Sequence, residues 1–138
     1  MIRKFSMSDL DAILRIEKQA FPKSPYSRST FMYYSAACSN TFLVYEDKRK
    51  NSNKIVGYII FYPKGHIVSI AVHPAYRRRG IGTELVGEVL KRTKGKASVE
   101  VRESNEIAKE FYMHLGFSLR TIIPNYYGDE NALVMIHL

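Results

Sequence analysis

The run Val72-His73-Pro74-Ala75-Tyr76-Arg77-Arg78-Arg79-Gly80-Ile81-Gly82-Thr83 carries the strongest chemical signal in the chain. An apolar β-rich stretch ends there, a basic glycine-containing turn follows, and a helical pattern begins. Consecutive backbone N–H groups at a helix start form an anion site, and glycine lets a phosphate approach closely. Arg77, Arg78 and Arg79 add positive charge. Two phosphate-binding patterns do not match. Leu85 stands where a dinucleotide fingerprint needs its third glycine, and no Gly-Lys-Ser/Thr follows. On these residues alone, a phosphate cradle and a solvated basic helix start both stay open.

Other reactive side chains fit packing or capping better than catalysis. Cys38 follows Ala36 and Ala37 on a predicted helix with no histidine beside it, which suits a packed small residue better than an acyl-accepting nucleophile. His114 lies near a helix C-terminus, where a charged imidazole is favoured. The four histidines, His66, His73, His114 and His137, are scattered, and no Cys/His spacing resembles a metal site. Glu100 lies in a β-rich run, where it either alternates outward or serves as a base. Phe111 and Tyr112 are adjacent on a helix, so at least one belongs to the core.

These residues need a scaffold, and the patterning supplies one. Ile2–Phe5 predicts a strand. Ser6 with Asp9 suits a capping box, and Leu10, Ile13, Leu14, Glu17 and Phe21 then recur at helical spacing. Pro22 and Pro25 break that helix. A second helix starts after Ser27 or Ser29 and ends near Cys38. Strands follow over Thr41–Glu46, Lys54–Tyr62 and His66–Val72, with a charged hairpin turn at 47–54. Gly80–Thr93 is a helix with Ile81, Leu85, Val89 and Leu90 inward. Ala97–Arg102 is a strand, Asn105–Leu115 a helix, and Phe117–Tyr127 and Ala132–Leu138 the closing strands. The order predicts a single α/β (α+β) domain over 1–138, with a mixed sheet and helices on both faces.

The 138 residues, 46% hydrophobic and 25% charged, suit one soluble domain. The single cysteine excludes an internal disulfide and fits a reducing compartment. The N-terminus lacks an apolar signal region and the longest apolar runs are too short to span a bilayer, so the expected location is cytoplasmic. The net charge of +8 points to an anionic partner: a phosphorylated small molecule, nucleic acid or a surface.

Arg77-Arg78-Arg79-Gly80-Ile81-Gly82 matches Gln/Arg-x-x-Gly-x-Gly/Ala, the acetyl-CoA motif of the GCN5-related N-acetyltransferase superfamily, which the chain resembles over almost its whole length. Glu100-Val101-Arg102-Glu103-Ser104-Asn105, Ala108, Phe111-Tyr112, Leu115-Gly116-Phe117 and the Tyr126–Met135 segment are similar to the ribosomal-protein-alanine N-acetyltransferase branch and its protein N-terminal relatives. The resemblance implies a mostly antiparallel sheet of about seven strands, splayed between the fourth and fifth, with acetyl-CoA entering the gap. It implies that Ile70, Ala71 and Val72 pair with pantetheine through main-chain groups. Arg77 to Thr83 (Arg77, Arg78, Arg79, Gly80, Ile81, Gly82, Thr83) would cradle the pyrophosphate, and Asn105 would contact the cofactor further along. Phe21, Pro22 and Tyr26 would face Tyr126 and Tyr127 across the substrate. His73, where the branch more often has an acid, and the basic run at 47–54 depart from the pattern.

Acetyl transfer to an amine needs a neutral nucleophile, a polarised carbonyl and a protonated leaving thiolate. With a pKa of about 7.7–8.0, roughly a tenth of α-amines are neutral at pH ~7, against far fewer lysines, which titrate near ~10.4. A carboxylate working through water then suffices, and the resemblance assigns that role to Glu100. It assigns the acid role to Tyr112, with Phe111 expected to pack on Leu115 and Tyr112 to face the cofactor. A backbone N–H near Val72 would polarise the carbonyl. The expected activity is acetylation of a protein N-terminus, such as that of a ribosomal protein or nascent chain, in a ternary complex. A lysine or small-amine acetyltransferase is the alternative enzyme, and a basic nucleic-acid-binding module the alternative without catalysis, although no helix-turn-helix or RNA-sheet aromatic signature is present. Nucleic-acid or ribosome contact, and the oligomeric state, stay open.

Overall fold

The computed structural model describes residues 1–49 and 53–138, so the tip of the expected 47–54 turn lies outside the described residues. In chain order the elements are β1 (Ile2–Lys4), α1 (Leu10–Ala20), α2 (Arg28–Ala37), β2 (Phe42–Asp47), β3 (Lys54–Phe61), β4 (Ile67–Val72), α3 (Ile81–Thr93), β5 (Ala97–Arg102), α4 (Glu106–His114), β6 (Ser118–Ile123) and β7 (Ala132–His137). The seven strands divide into a four-stranded sheet, β1-β2-β3-β4, and a three-stranded sheet, β5-β7-β6, with every strand pair antiparallel. One parallel bridge, His66 to Ser98, joins them. Beyond it β4 and β5 diverge, which is the splay the sequence resemblance implies.

Helices cover both faces. On β3, Ile55, Tyr58 and Ile60 enter one cluster with Leu10, Ile13, Ile16 and Phe31 from α1 and α2. Val56, Ile59 and Phe61 enter the other with Leu85 and Val89 of α3 and Tyr112 of α4. The strand reads as a continuous apolar run because both its faces are buried.

The bridge depends on Gly65. A Cβ there would lie 2.1 Å from the Lys96 carbonyl oxygen, so only glycine lets the chain pass. The Gly65 carbonyl accepts the Ser98 N–H at 3.0 Å, which sets the start of β4 against β5.

Element ends differ from the sequence expectation where local chemistry decides. Ser27, not Ser29, caps α2, its Oγ accepting the Thr30 N–H at 3.2 Å. The strand expected over Phe117–Tyr127 runs only from Ser118 to Ile123. Pro124 lacks an N–H for the ladder, and Asn125 adopts a left-handed φ of 56°.

Candidate active site

The glycine turn folds as an anion cradle. Arg78 and Gly80 both adopt left-handed backbone, φ 64° and 79°, which wraps the loop into the start of α3. Inside the helix the Glu84 N–H bonds to the Gly80 carbonyl at 2.9 Å, so the N–H groups of Ile81, Gly82 and Thr83 have no partner within it. Arg77, Arg78, Arg79, Gly80 and Thr83 are exposed around this helix start, where the dipole favours negative charge. Arg77 Nε bonds to the Val72 carbonyl at 3.3 Å and Arg79 lies over the Tyr76 ring at 5.0 Å, which fixes both beside the loop. Arg78 and Thr83 also line a cleft of about 420 Å³ with Ile107, Glu110, Phe111, His114 and Leu115. Ile70, Ala71 and Val72 form the last half of β4, on the edge that β5 leaves after the bridge. The donor set and geometry fit a phosphate-bearing ligand such as acetyl-CoA. Asn105 caps α4, its Oδ1 accepting the Ala108 N–H at 3.1 Å. Its amide nitrogen stays available to donate to a ligand.

Glu100 points away from the core face of β5, where Val99 and Val101 are buried. Its two carboxylate oxygens lie 2.9 and 3.0 Å from Nε2 of His66. Tyr126 O–H donates to the same carboxylate at 3.4 Å. Donating a hydrogen bond to the Glu100 carboxylate raises the His66 pKa above 6.5, outweighing partial desolvation. Tyr62 stacks nearly parallel on the His66 ring, at 6.1 Å and 5°. Sequence reading leaves His66 among scattered histidines. Its signal is weak: a histidine entering one strand, and an acid at an outward position of the next.

Tyrosines surround this pair. Tyr26 stacks on Tyr34 at 6.0 Å, and Tyr126 packs on Tyr127 at 4.9 Å. Burial, with neighbouring phenols and acids, pushes Tyr26 and Tyr127 each up to about 12. The charge of Glu100 reaches Tyr127, and Tyr126 lies in electrostatic reach of both Tyr26 and Tyr34. Tyr126 and Tyr127 thus lie beside Glu100, and Tyr26 lies within electrostatic reach of Tyr126. Phe21 and Pro22 are exposed on the same α1–α2 loop as Tyr26, and among the described residues no hydrogen bond or ring contact ties either to Glu100.

The arrangement on α4 reverses the expected one. Tyr112 is the core member, 3% exposed and packed edge-on to Phe117 at 5.1 Å. Phe111 is half-buried, and its ring approaches Gly82 so closely that a Cβ there would sit 3.3 Å away. Leu115 is also only partly buried. Adjacent helical residues point about 100° apart, and the turn to Gly116 brings Phe117 over Tyr112 instead. Burial and the nearby Tyr127 phenol raise the Tyr112 pKa well above 10.

Residues 10–117 match the model of the Acetyltransferase (GNAT) family. An uncharacterized N-acetyltransferase of Methanocaldococcus jannaschii is 39% identical, over 99% of this chain and 90% of that protein. An N-alpha-acetyltransferase of Sulfurisphaera tokodaii is 33% identical, over 97% of this chain and 90% of its own length. The crystal structure of the ribosomal-protein-S18-alanine N-acetyltransferase from Escherichia coli superposes with a TM-score of 0.78, at 29% identity, over 99% of this chain and 91% of that one. With the splayed sheets and the cradle at α3, these likenesses establish that the chain belongs to the GNAT acetyltransferase family.

Proposed function

We propose that this protein transfers the acetyl group of acetyl-CoA to the N-terminal α-amino group of a protein, by direct attack in a ternary complex. The observation that carries this reading is the Glu100–His66 pair, set under Tyr126 at the mouth of the splay and beyond the anion cradle. The N-alpha-acetyltransferase relative supports the substrate class. Acetyl-CoA supplies an activated thioester when bound.

The chain's residues divide the remaining work. The N–H groups of Ile81, Gly82 and Thr83, with Arg77 to Arg79, would hold the pyrophosphate. The free edge of β4 at Ile70–Val72 would hold pantetheine, and a backbone N–H near Val72 would polarise the carbonyl. The incoming amine would lie between Tyr26 on one side and Tyr126 and Tyr127 on the other. Glu100 would take its proton, directly or through water, and His66 would share that proton. An α-amine asks little of this base, since it titrates near ~8. Tyr112, held protonated by burial, would stabilise the leaving sulfur by donating a hydrogen bond. A buried phenol surrenders its proton reluctantly, so Tyr112 is better suited to that bond than to complete proton transfer.

Among the described residues no helix is long and apolar enough to cross a membrane. We place the reaction in the cytoplasm, on the N-terminus of a ribosomal protein or a nascent chain. A panel of N-terminal peptides and an N-blocked lysine peptide, each with acetyl-CoA, tests the reading. Acetylation of free N-termini, lost when they are blocked, is the expected result. Equal or faster acetylation of the blocked lysine peptide would overturn it.

A further inference from the structure

Glu17 is a buried carboxylate with no part in the chemistry above. It sits on the inward face of α1 and is 2% exposed. Oε1 accepts the hydroxyl proton of Tyr58, a fully buried residue of β3. Oε2 accepts the backbone N–H of Tyr26 at 2.8 Å. Tyr58 Oη is also 2.8 Å from Ser69 Oγ on β4, next to Ile70. Burying a carboxylate is costly, and an apolar side chain would fill a helix–sheet interface more cheaply. Here both oxygens are committed, one to a sheet phenol and the other to the main chain of the loop that ends α1.

Among the described residues the backbone of that loop has few other ties. Ser24 N–H bonds to the Phe21 carbonyl at 3.3 Å, within the loop itself. The Tyr26 amide therefore fastens the loop backbone to the core. Tyr26 then packs on Phe31 at 5.7 Å and on Tyr34 at 6.0 Å, within electrostatic reach of Tyr126.

We propose that Glu17 is a positioning residue for the peptide substrate: it clamps the Tyr26 backbone to Tyr58 and β4, and so fixes the α1–α2 wall of the groove at a set distance from Glu100. The inference rests on the reading of that loop as the peptide wall. Glu17→Gln keeps an oxygen for the Tyr26 N–H, and its amide nitrogen can donate to Tyr58 Oη, whose own proton turns to Ser69. Glu17→Ala leaves the Tyr26 N–H and the Tyr58 hydroxyl without their acceptor.

The test combines steady-state kinetics with hydrogen exchange on the full chain. Glu17→Ala raises the peptide KM by about tenfold or more, the scale of a lost charge-assisted hydrogen bond. The KM for acetyl-CoA stays within about twofold, and Glu17→Gln restores the peptide KM to within about threefold of the original. Proportional loss in both KM values, or no rescue by glutamine, overturns the proposal. Exchange of the Tyr26 amide, measured without any substrate, stands independently of the proposed activity. Protection in the unsubstituted chain and in Glu17→Gln is expected. Exchange at the rate of an unstructured loop in the folded, unsubstituted chain overturns the clamp even if Glu17→Ala fails to fold.

Discussion

His66 and Glu100 meet at 2.9 Å beside the His66–Ser98 bridge that joins the two sheets. β4 and β5 begin together and then part. The bridge is therefore the hinge of the splay, and the pair sits where the gap opens. Gly65 makes this contact geometrically available, and Ser98, two residues before Glu100, holds its register. The feature that creates a space for the acyl donor thus also places a titratable pair at its edge.

The pair predicts a specific pH dependence. Glu100 raises the pKa of His66 above 6.5, so the folded state favours the protonated ring. Its stabilising contribution is fully present below the unfolded value of 6.5 and fades as pH rises through the higher folded value. The ring side chain is 41% exposed, so solvent screens this gain and the stability slope is shallow. Activity runs the other way, because proton acceptance needs the deprotonated pair. The expected pH profile of kcat/KM rises through an acid limb lying above 6.5. His66→Gln should shift that limb, and Glu100→Gln should lower kcat by about 10²-fold with acetyl-CoA affinity retained. An unchanged profile in both variants would remove the pair from the chemistry.

Tyr112 separates catalysis from folding. Among the described residues its hydroxyl donates to no side chain, and its ring packs against Phe111 and Phe117. Phenylalanine keeps that packing and removes a buried hydroxyl, so Tyr112→Phe should not destabilise the fold. If the hydroxyl serves the leaving sulfur, kcat falls by about 10²-fold while the Kd for acetyl-CoA holds. Calorimetry and steady-state kinetics on the same preparation check both halves. Full turnover in this variant would leave Tyr112 a core aromatic only.

The cradle gives a third prediction. Gly80 has φ 79° and open space around it, so an added Cβ meets no neighbour and the cost is conformational. Alanine in the left-handed region costs about 1–2 kcal/mol. Gly80→Ala can relieve that strain only by reshaping the turn that presents the N–H groups of α3. Acetyl-CoA should bind about tenfold more weakly by titration calorimetry, a loss of the same size. Peptide KM should move much less.

How legible these features were in the chain depends on the range of the interaction behind each. The cradle is local: a strand end, three arginines and Gly80-Ile81-Gly82 follow one another, and the resemblance rests on them directly. The splay is readable through that resemblance, since no pattern in β4 or β5 announces where they part. His66 and Glu100 are 34 positions apart, and their hydrogen bond exists only once Gly65 has passed under the Lys96 carbonyl. Glu17 fits the periodicity of α1 as one more member of its face. Its burial becomes intelligible only with Tyr58 in place, 41 positions away. The Phe111–Tyr112 order fails for the same reason: helical spacing ranks neighbouring aromatics poorly when the next element, here Phe117, decides which is covered.

Arg102 offers a test of the wall opposite Tyr26. From the end of β5 it reaches Asp129 at 2.8 Å and Glu130 at 3.2 Å, and it lies over the Tyr127 ring at 4.2 Å. Glu130 in turn accepts the Ser104 N–H at 2.9 Å. One guanidinium therefore organises the β6–β7 loop that carries Tyr126 and Tyr127, and Arg is suited to this because its planar fork serves two acids and a ring at once. Arg102→Met keeps much of the aliphatic stem and removes the fork. With the loop loosened, peptide KM should rise several-fold, on the order of one lost charge-assisted hydrogen bond. Acetyl-CoA binding should not change, because among the described residues Arg102 bonds to Asp129 and Glu130 and not to the α3 cradle. Raising salt should reproduce part of the effect in the unsubstituted chain, since Asp129 is exposed and its attraction to Arg102 is screened. Arg102→Lys should rescue little, because a point charge cannot replace the fork. Equal loss of peptide and acetyl-CoA binding would mean that Arg102 supports the fold of β5 and not the substrate wall.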